Sequence, residues 1–472
     1  MQHWRFYGKF VAIAFIMLLL LIPQAFIFSV VQEREGWREQ AYQSIGQSWP
    51  REQTLVGPLL VLPYQVSRLS KERVVDANGK EREVIGEELV QASVVLMPQH
   101  LNVASQLETT LRYRGIYAVP VYSSQLQVKG AFDPQQVAEA IAKVQSEQVQ
   151  WGKPYLSVAV SDQRGIVSAP TLQWVTGTVP FQPGSNLKGN EVEAGMHALL
   201  PVAKPQELTN LAFQFDLNLN GMRGMNFALL SRDTQIQQSA NWASPSFMGE
   251  MLPSERKITS TGFNAVWRAS AFSVNANEGL EQCQRGDCGN LTKHSVGVNL
   301  IQTVDVYQQA ERSVKYALLF IVLTFGVLML FELLKRLRIH PVQYTLVGFA
   351  LLVFYLLLIS LSEHMAFLMA YALAASASTG LLTLYFGAIL RSRRLGWSLG
   401  AGLASLYALL YLILQAEENA LLMGSLLLFA VLAVLMLGTR HFDWYALMGK
   451  TTENQANAES AQNLQKTSLV SP

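Results

Sequence analysis

Six long apolar stretches dominate the pattern of hydrophobic and polar positions along the chain. Each has about 20 residues, the length that a helix needs to cross a hydrocarbon core of about 30 Å. Helices suit that core because they satisfy every backbone polar group internally. The stretches are Phe10–Val31, Tyr316–Leu334, Val342–Leu361, Met365–Leu390, Trp397–Gln415 and Ala420–Gly438. They predict a multi-pass α-helical membrane protein with six transmembrane helices.

The first stretch has a second interpretation, as a cleaved signal peptide. The basic residues that precede its apolar core are His3, Arg5 and Lys9. That core, Phe10–Ile22, has the length of a signal-peptide core. No small-residue cleavage site follows it, however, and the sequence stays apolar beyond Pro23. We therefore expect an uncleaved anchor helix that is kinked at this proline.

The positive charges predict the orientation, because Lys and Arg concentrate in cytoplasmic loops. Every Lys and Arg outside residues 32–315 falls on one side of the membrane if the amino terminus is cytoplasmic. The two short loops on the opposite side contain Glu363, Glu417 and Glu418 but neither Lys nor Arg. We therefore expect both termini in the cytoplasm and the long segment after the first helix on the exported side.

That long segment has the alternating pattern of β-strands. Leu211–Leu219 alternates apolar and polar residues up to Asn220-Gly221, which predicts a strand followed by a turn. Similar short patterns occur at Val90–Leu96, Leu126–Val128, Leu156–Val160 and Phe263–Trp267. Many short strands separated by Gly, Pro and Asn predict a β-rich domain.

One helix is expected among these strands. Asp133 can cap it, Pro134 suits its first turn, and apolar residues recur at helical spacing up to Trp151-Gly152. The tail after Gly449 is polar, which is typical of disorder. The predicted divisions are a cytoplasmic terminus with anchor helix 1 (1–32), a β-rich (α+β) periplasmic domain (33–315), a five-helix transmembrane bundle (316–438) and a cytoplasmic tail (439–472).

Composition and charge support a membrane protein and exclude a nucleic-acid-binding one. Only 15% of the residues are charged, against about 25% in soluble domains. The formal net charge is +2, and no basic cluster of the kind that binds nucleic acid occurs. Membrane lipids are therefore the first expected partner.

The chain contains two cysteines, Cys283 and Cys288. In an exported, oxidising compartment they predict a local disulfide, with a reduced pair as the alternative. His294 lies nearby, but one histidine and two cysteines without a partner motif do not make a zinc site. We therefore expect no bound metal.

No motif for catalysis or for a cofactor stands out. Neither G-x-S-x-G, H-E-x-x-H nor a phosphate-binding glycine loop occurs. Ser362, Glu363 and His364 are adjacent, but neighbours in an extended loop point apart, so we interpret them as a solvated helix end. Asp162–Gly165 predicts a turn, with a binding role as its second interpretation. The sequence thus predicts no enzyme and no cofactor.

Ion-coupled transport needs ionisable groups within the bilayer, and Glu332 is the one available in the apolar stretches. Its neighbours Lys335 and Arg336 predict an interfacial ion pair rather than a proton relay. Small residues at 372–380, and at Gly396 with Gly400, predict close helix packing. A pore or lipid groove is the alternative there.

The chain also resembles a known family over nearly its full length. The matching blocks are Leu55–Leu59, Ser161–Ile166, Asn241–Phe247, Gly249–Pro253, Glu255–Trp267, Tyr307–Phe325, His340–Tyr344, Leu361–His364, Thr439-Arg440 and Asp443–Tyr445. They resemble the CreD family, inner-membrane proteins named for cell-envelope integrity in Gram-negative bacteria. The resemblance implies control by a two-component system and links to envelope maintenance, colicin tolerance and β-lactam responses. It implies no reaction.

These observations give the hypothesis of a non-enzymatic inner-membrane protein whose periplasmic domain binds an envelope component. The expected partner is an envelope protein or peptidoglycan-synthesis machinery. The candidate binding surface is Trp242, Phe247, Glu255, Arg256 and Trp267, for which a packed strand and turn is the structural alternative. The alternative function is a transporter or lipid-handling membrane protein. A membrane-embedded hydrolase has little support.

Overall fold

The computed structural model describes residues 2–75, 81–144, 149–174, 177–208, 211–301, 306–335, 339–415 and 420–440. The chain forms two compact units. The helical unit contains Met1–Val31 and Val306–Pro472, and the β-domain contains Gln32–Asp305. The boundary after Asp305 lies ten residues before the predicted one, because the helix that follows belongs to the helical unit. The tail after Gly449 and the loop with Glu417 and Glu418 lie outside the described residues.

Nine helices are found in the described part of the chain. They are α1 (Gln2–Ser48), α2 (Pro134–Val144), α3 (Ala276–Gln284), α4 (Val306–Lys315), α5 (Ala317–Lys335), α6 (Pro341–Ser362), α7 (Phe367–Ile389), α8 (Arg393–Gln415) and α9 (Ala420–Thr439). Four of them are long and apolar enough to cross a membrane. A fifth span exists if α4 and α5, bent by 41°, count as one. α9 coincides with the sixth predicted stretch, and the number six stays a prediction.

Helix α1 packs into the helical unit through one stripe of apolar residues. Ile13, Leu20, Ile27 and Val31 are buried in the same core as residues of α4 to α8. Leu20 contacts Gly348 of α6 so closely that a Cβ at this glycine would overlap it. α1 continues as one helix past Pro23. The first half of α1 is therefore apolar and also packs against the other helices of the helical unit.

The β-domain contains 17 described strands. In chain order they are β1 (Gln53–Val75), β2 (Glu81–Leu96), β3 (His100–Arg114), β4 (Tyr117–Ala131), β5 (Val149–Trp151), β6 (Tyr155–Val160), β7 (Thr171–Trp174), β8 (Gly177–Pro180), β9 (Gln182–Pro183), β10 (Gly195–Leu199), β11 (Ala212–Met222), β12 (Gly224–Ala228), β13 (Asp233–Ala240), β14 (Pro245–Gly249), β15 (Glu255–Thr259), β16 (Gly262–Ser270) and β17 (Ser295–Leu300). The β-rich prediction is confirmed, and each predicted strand coincides with one of these, although Leu211 lies one residue before β11.

The strands form two sheets. Sheet A has the order β14-β17-β12-β1-β6-β10-β9, with β2 and β5 also paired to β1. Sheet B has the order β15-β16-β13-β3-β4-β11-β7-β8. Most pairs are antiparallel, and β1 with β12 and β3 with β13 are parallel. Both sheets therefore mix local hairpins with pairings between strands that are distant in sequence.

One apolar core joins the two sheets. Leu60 and Leu62 of β1, Leu101 and Val103 of β3, and Phe215 of β11 belong to it. In β3 the buried and exposed residues alternate, because successive side chains point to opposite faces of a strand. In contrast, Leu55–Leu62 of β1 are buried on both faces, since α3 and the loops beside it cover the outer face of sheet A.

Two local predictions were wrong about the residue at which an element ends. α2 ends at Val144, and Val149–Trp151 is a strand paired with β1 rather than more helix. β11 continues through Asn220-Gly221 to Met222, and the chain turns at Arg223, whose φ is 65°. Gly221 is needed because the Tyr122 ring packs against its Cα, so this glycine marks a close approach and not a turn.

Candidate functional site

The predicted binding segment supplies an outer strand to each of the two sheets. β14 pairs with β17 at one end of sheet A, and β15 pairs with β16 at one end of sheet B. Among the described strands neither has a neighbour on its other side. An edge strand presents unpaired N–H and C=O groups, to which another chain can add a strand. We call residues 245–259 the edge segment.

The edge segment exposes apolar side chains beside charged ones. Met248 is 46% exposed, Leu252 is 70% exposed and Ile258 is 48% exposed. Glu255 pairs with Arg268 at 2.7 Å, and the Arg256 side chain is exposed. Apolar groups bordered by charges are typical of protein interaction surfaces. The segment thus combines a free backbone edge with side chains that a partner could bury.

Two of the predicted surface residues pack inward instead. Trp267 is 2% exposed, because it lies on the inner face of β16 together with Phe263 and Ala265. Its indole N–H donates to the Met251 carbonyl at 3.2 Å. Phe247 is half-buried and lies edge-on to Trp267, with ring centroids 5.8 Å apart. Trp267 therefore lies beneath the edge segment and supports it, rather than forming its surface.

Trp242 is half-buried and holds the start of this region in place. Its indole N–H donates to the carbonyl of Ile301, just after β17, at 2.9 Å. The neighbouring Asn241 side chain accepts from the Thr109 N–H at 2.6 Å and donates to the Thr109 carbonyl at 3.3 Å. Thr109 belongs to β3 of sheet B, so these two residues link the sheets. Of the five predicted residues, Glu255 and Arg256 are exposed.

Sequence reasoning missed Met248, Leu252 and Ile258, which are the exposed apolar groups of the edge segment. A signal for the edge was present, however. β15 begins with Glu255, Arg256 and Lys257, and charged residues in a short strand are typical of an unpaired edge. The sequence did not tell which sheet each strand would border.

The motif Asp162–Gly165 has a structural role at the end of α1. Asp162 caps a short 3-10 turn and binds the Arg164 guanidinium, with 2.6 Å between Oδ2 and Nη2. The same guanidinium donates to the carbonyls of Gly46 at 3.0 Å and Gln47 at 2.9 Å. The last carbonyls of a helix lack partners within the helix. Arg164 therefore caps the last turn of α1, which belongs to the β-domain.

This arrangement changes the acidity of Asp162. Burial alone would raise the pKa of its carboxyl, but hydrogen bonds from the Arg164 side chain and from two backbone N–H groups outweigh that effect. The pKa of Asp162 therefore lies below its ordinary value of 3.8. A depressed carboxyl pKa adds stability above the ordinary value, and this stability is lost as the pH falls through the folded-state pKa.

We expect Arg164→Ala to lower the free energy of unfolding by about 1 kcal/mol at neutral pH, because three charge-assisted contacts of a half-exposed side chain are lost. Chemical denaturation of the full-length protein in detergent measures this difference. The difference in the free energy of unfolding between wild type and variant should become smaller below pH 3.8, where protonation of Asp162 weakens the wild-type pair as well. A difference that stays constant with pH would contradict the role of Asp162. Lys153→Ala, at another exposed basic residue of the β-domain, is the matched control and should change little.

Glu332 does form an ion pair, but its partner is Lys9 of α1. Its Oε1 atom binds the Lys9 ammonium and accepts from the Ile339 N–H at 3.1 Å. Its Oε2 atom accepts from the Tyr344 hydroxyl at 3.1 Å, and Lys9 also donates to the Ile339 carbonyl at 2.6 Å. The ion pair that was expected at Glu332 is therefore present with a partner distant in sequence, and the Lys335 side chain and Arg336 lie outside the described residues. The cluster links α1, α5 and α6.

Ser362, Glu363 and His364 do not converge on a common point. Ser362 donates to the Ile359 carbonyl at 2.9 Å, and the His364 ring lies 3.1 Å from the Ser360 carbonyl. Glu363 accepts from the Tyr307 hydroxyl at 3.2 Å. The His364 side chain is exposed, as expected for a solvated helix end, whereas Ser362 is buried and Glu363 contacts a residue of α4.

Cys283 and Cys288 are joined by a disulfide. Both are buried against the outer face of sheet A, where the bridge links α3 to the loop after it. His294 lies 2.7 Å from Glu250 and takes no part in the bridge. Among the described residues no group of three His, Cys, Asp or Glu side chains is arranged to hold a metal ion.

The apolar helices and the large β-rich domain define a membrane protein that carries a sizeable β-rich domain in addition to its helices. The family model "Inner membrane protein CreD" matches residues 5–445. The chain is also 32% identical over 449 residues, 94% of both chains, to the "Inner membrane protein CreD" of Escherichia coli (strain K12). The chain belongs to the CreD family of inner membrane proteins.

Among solved structures, an M1 zinc metallopeptidase of Deinococcus radiodurans aligns with 43% of this chain and 42% of its own. The sequence identity is 9% and the TM-score is 0.21. A mutant form of the same peptidase aligns equally, also with a TM-score of 0.21. Likeness at this level carries no argument about fold or function.

Proposed function

We propose that this CreD-family protein supports cell-envelope integrity without enzymatic activity, by binding an envelope protein through the edge segment. The β-domain lies in the periplasm, and six transmembrane helices hold it, with both termini in the cytoplasm. The partner contributes an extended segment that adds a strand to β14 and buries Met248 and Leu252. In this mode of recognition the backbone bonds give affinity and the side-chain contacts give specificity.

The observation that carries the proposal is that one continuous segment forms the outer strand of both sheets and exposes three large apolar side chains. Edge strands are usually protected by charges or by prolines. β15 has such charges, whereas β14 has a proline at its first position only. β14 is therefore the better acceptor for an added strand.

The Lys9 and Glu332 pair supports the proposed topology. Lys9 precedes the first apolar stretch, and Glu332 lies near the end of the second. Their contact puts these two ends at the same face of the helical unit. This is the arrangement that two consecutive membrane crossings require, with the amino terminus and the end of the second crossing on the same side.

The experiment is photocrosslinking in cells, with a photoreactive amino acid placed at Met248 or Leu252 of the full-length protein. Gln125, an exposed residue on the outer polar face of sheet B, is the matched control position. We expect both edge positions to capture the same envelope protein, identified by mass spectrometry, and Gln125 not to capture it. Introducing Met248→Asp into the Leu252 probe should reduce the yield of that adduct.

Adducts that are equally abundant at Gln125, or that contain lipid alone, would contradict binding by the edge segment. A glycan adduct that a muramidase removes and a protease does not would show that the partner is peptidoglycan and not a protein. The alternative function, a lipid-handling membrane protein, is supported by a separate feature, an apolar groove between α7 and α8.

A further inference from the structure

A groove of about 840 Å³ runs between α7 and α8 in the helical unit. Its wall is mostly apolar and includes Ala375 and Thr379 of α7 and Ala404 and Ala408 of α8. The small residues predicted to pack helices together are thus divided between two faces of α7. Ala374 and Ser378 are buried, whereas Ala375 and Thr379 line the groove.

The groove is long enough to follow much of a lipid chain. On α8 its lining runs from Trp397 to Leu412, which at 1.5 Å per residue is about 22 Å. The hydrocarbon core of a bilayer is about 30 Å thick. α7 and α8 are both apolar enough to cross a membrane, and the exposed groove residues Leu384 and Leu412 are apolar, which suits hydrocarbon rather than water.

The inner wall of the groove is held rigidly. The Tyr371 hydroxyl donates to the Tyr407 carbonyl at 2.7 Å, which ties α7 to α8. The Tyr407 hydroxyl is 3.1 Å from Ser378 Oγ. The same two helices touch at Gly396, where a Cβ would lie only 2.7 Å from the Gly387 Cα. These contacts fix the helix separation, so the groove is present before any ligand binds, as is usual for small-molecule sites.

One end of the groove carries a cluster of positive charge. Arg393 and Arg394 precede Trp397 by four and three residues, which puts them on the same side of α8. Arg391 lies in the turn between the two helices. All three arginines are exposed, and within the described part of the chain none forms a side-chain ion pair or hydrogen bond. Trp397, itself 71% exposed, is a residue type enriched at the bilayer interface.

We propose that this groove binds one anionic phospholipid, with an acyl chain along α7 and α8 and the headgroup phosphate on Arg391, Arg393 and Arg394. Guanidinium groups recognise phosphate oxygens through paired hydrogen bonds. An apolar groove open to hydrocarbon, with these three cations at its end, matches a lipid whose chain is apolar and whose headgroup is negative. The site is independent of the edge segment and of its partner.

The test uses the full-length protein in vesicles of phosphatidylethanolamine and phosphatidylglycerol. These contain a trace of phosphatidylglycerol with a photoreactive acyl chain, and adducts are mapped by mass spectrometry. We expect adducts on α7 and α8 to concentrate at the groove residues. Ala404→Phe, which fills the groove, should remove most of them. Ala377→Phe is the matched control, at an exposed position of α7 that does not line the groove.

The headgroup is tested by competition with unlabelled lipids. Arg393→Gln with Arg394→Gln should reduce the preference for phosphatidylglycerol over phosphatidylethanolamine by about fivefold for each arginine, the effect of ~1 kcal/mol per basic residue near an anionic surface. Both arginines are exposed, so these variants should still fold.

Adducts spread evenly over the outer helix faces, or equal effects of Ala404→Phe and Ala377→Phe, would overturn the proposal. Crosslinks between α8 segments of two copies would overturn it as well, since a second copy would then occupy the groove. An unchanged headgroup preference in the arginine variants would refute the proposal that these arginines bind the headgroup phosphate. None of these results alters the crosslinking expected at Met248 and Leu252, so the two proposals fail separately.

Discussion

Replacing Trp267 with alanine is expected to lower the free energy of unfolding of the β-domain by about 3–5 kcal/mol, the range for large aromatic residues in a core. Trp267 is 2% exposed and packs against Phe247 beneath the edge segment. The loss includes the cavity left by the indole and the unpaired carbonyl of Met251, which accepts its N–H. The effect is measured by thermal unfolding of the full-length protein in detergent. Limited proteolysis detects the unfolding of the β-domain.

Arg256→Ala is the control for Trp267→Ala, because Arg256 belongs to the same predicted surface but is exposed. We expect it to change the free energy of unfolding by less than about 0.5 kcal/mol, as surface substitutions usually do. Trp267→Phe should cost less than Trp267→Ala, since most of the ring volume remains. Equal stability of the Ala and wild-type proteins would show that Trp267 acts at a surface, one of the two interpretations that the sequence allowed.

Removing one partner of the Lys9 and Glu332 pair is expected to cost about 3 kcal/mol, since it leaves the other charge in an apolar bundle. The two side chains are only 28% and 12% exposed. Lys9→Ala and Glu332→Ala should each destabilise the helical unit by this amount. The double variant should be less destabilised than the sum of the two, with a coupling of about 1–3 kcal/mol. Thermal unfolding in detergent measures all three variants.

Lys315→Ala is the matched control for this pair. Lys315 binds Glu311 at 3.0 Å in the same unit, but its side chain is 60% exposed. An exposed pair one helical turn apart contributes only about 0.3–0.5 kcal/mol. Equal losses for Lys9→Ala and Lys315→Ala would contradict the proposed link between α1, α5 and α6, and would also weaken the topology argument that depends on it.

The apolar helices and the strands were predicted well because their signals are local. Leu346 and Val353 need no partner to favour hydrocarbon, since the transfer of an apolar side chain out of water is favourable by itself. Likewise, alternation along Phe213, Phe215 and Leu217 determines which face of β11 is buried. Patterns of this kind predict structure correctly wherever the type of a residue is enough to indicate its surroundings.

Predictions failed where a distant contact decided the outcome. α2 stops at Val144 because Val149–Trp151 pairs with Tyr64–Val66 of β1, and helical spacing cannot anticipate that strand pairing. Asn220-Gly221 has the composition of a turn, but pairing with Ser123 and Tyr122 keeps it in a strand. In both cases the hydrogen bonds of a sheet outweighed a local preference that is weak by comparison.

The sequence by itself determined that this protein is membrane-bound, that its long inserted segment is β-rich and that it belongs to the CreD family. Only the tertiary structure decided that residues 245–259 border both sheets, that Trp267 is buried and that Glu332 pairs with Lys9. Lys9 and Glu332 lie 323 positions apart. Hydropathy and periodicity describe how each residue interacts with its surroundings, whereas edges, ion pairs and grooves depend on which distant residues the fold brings together.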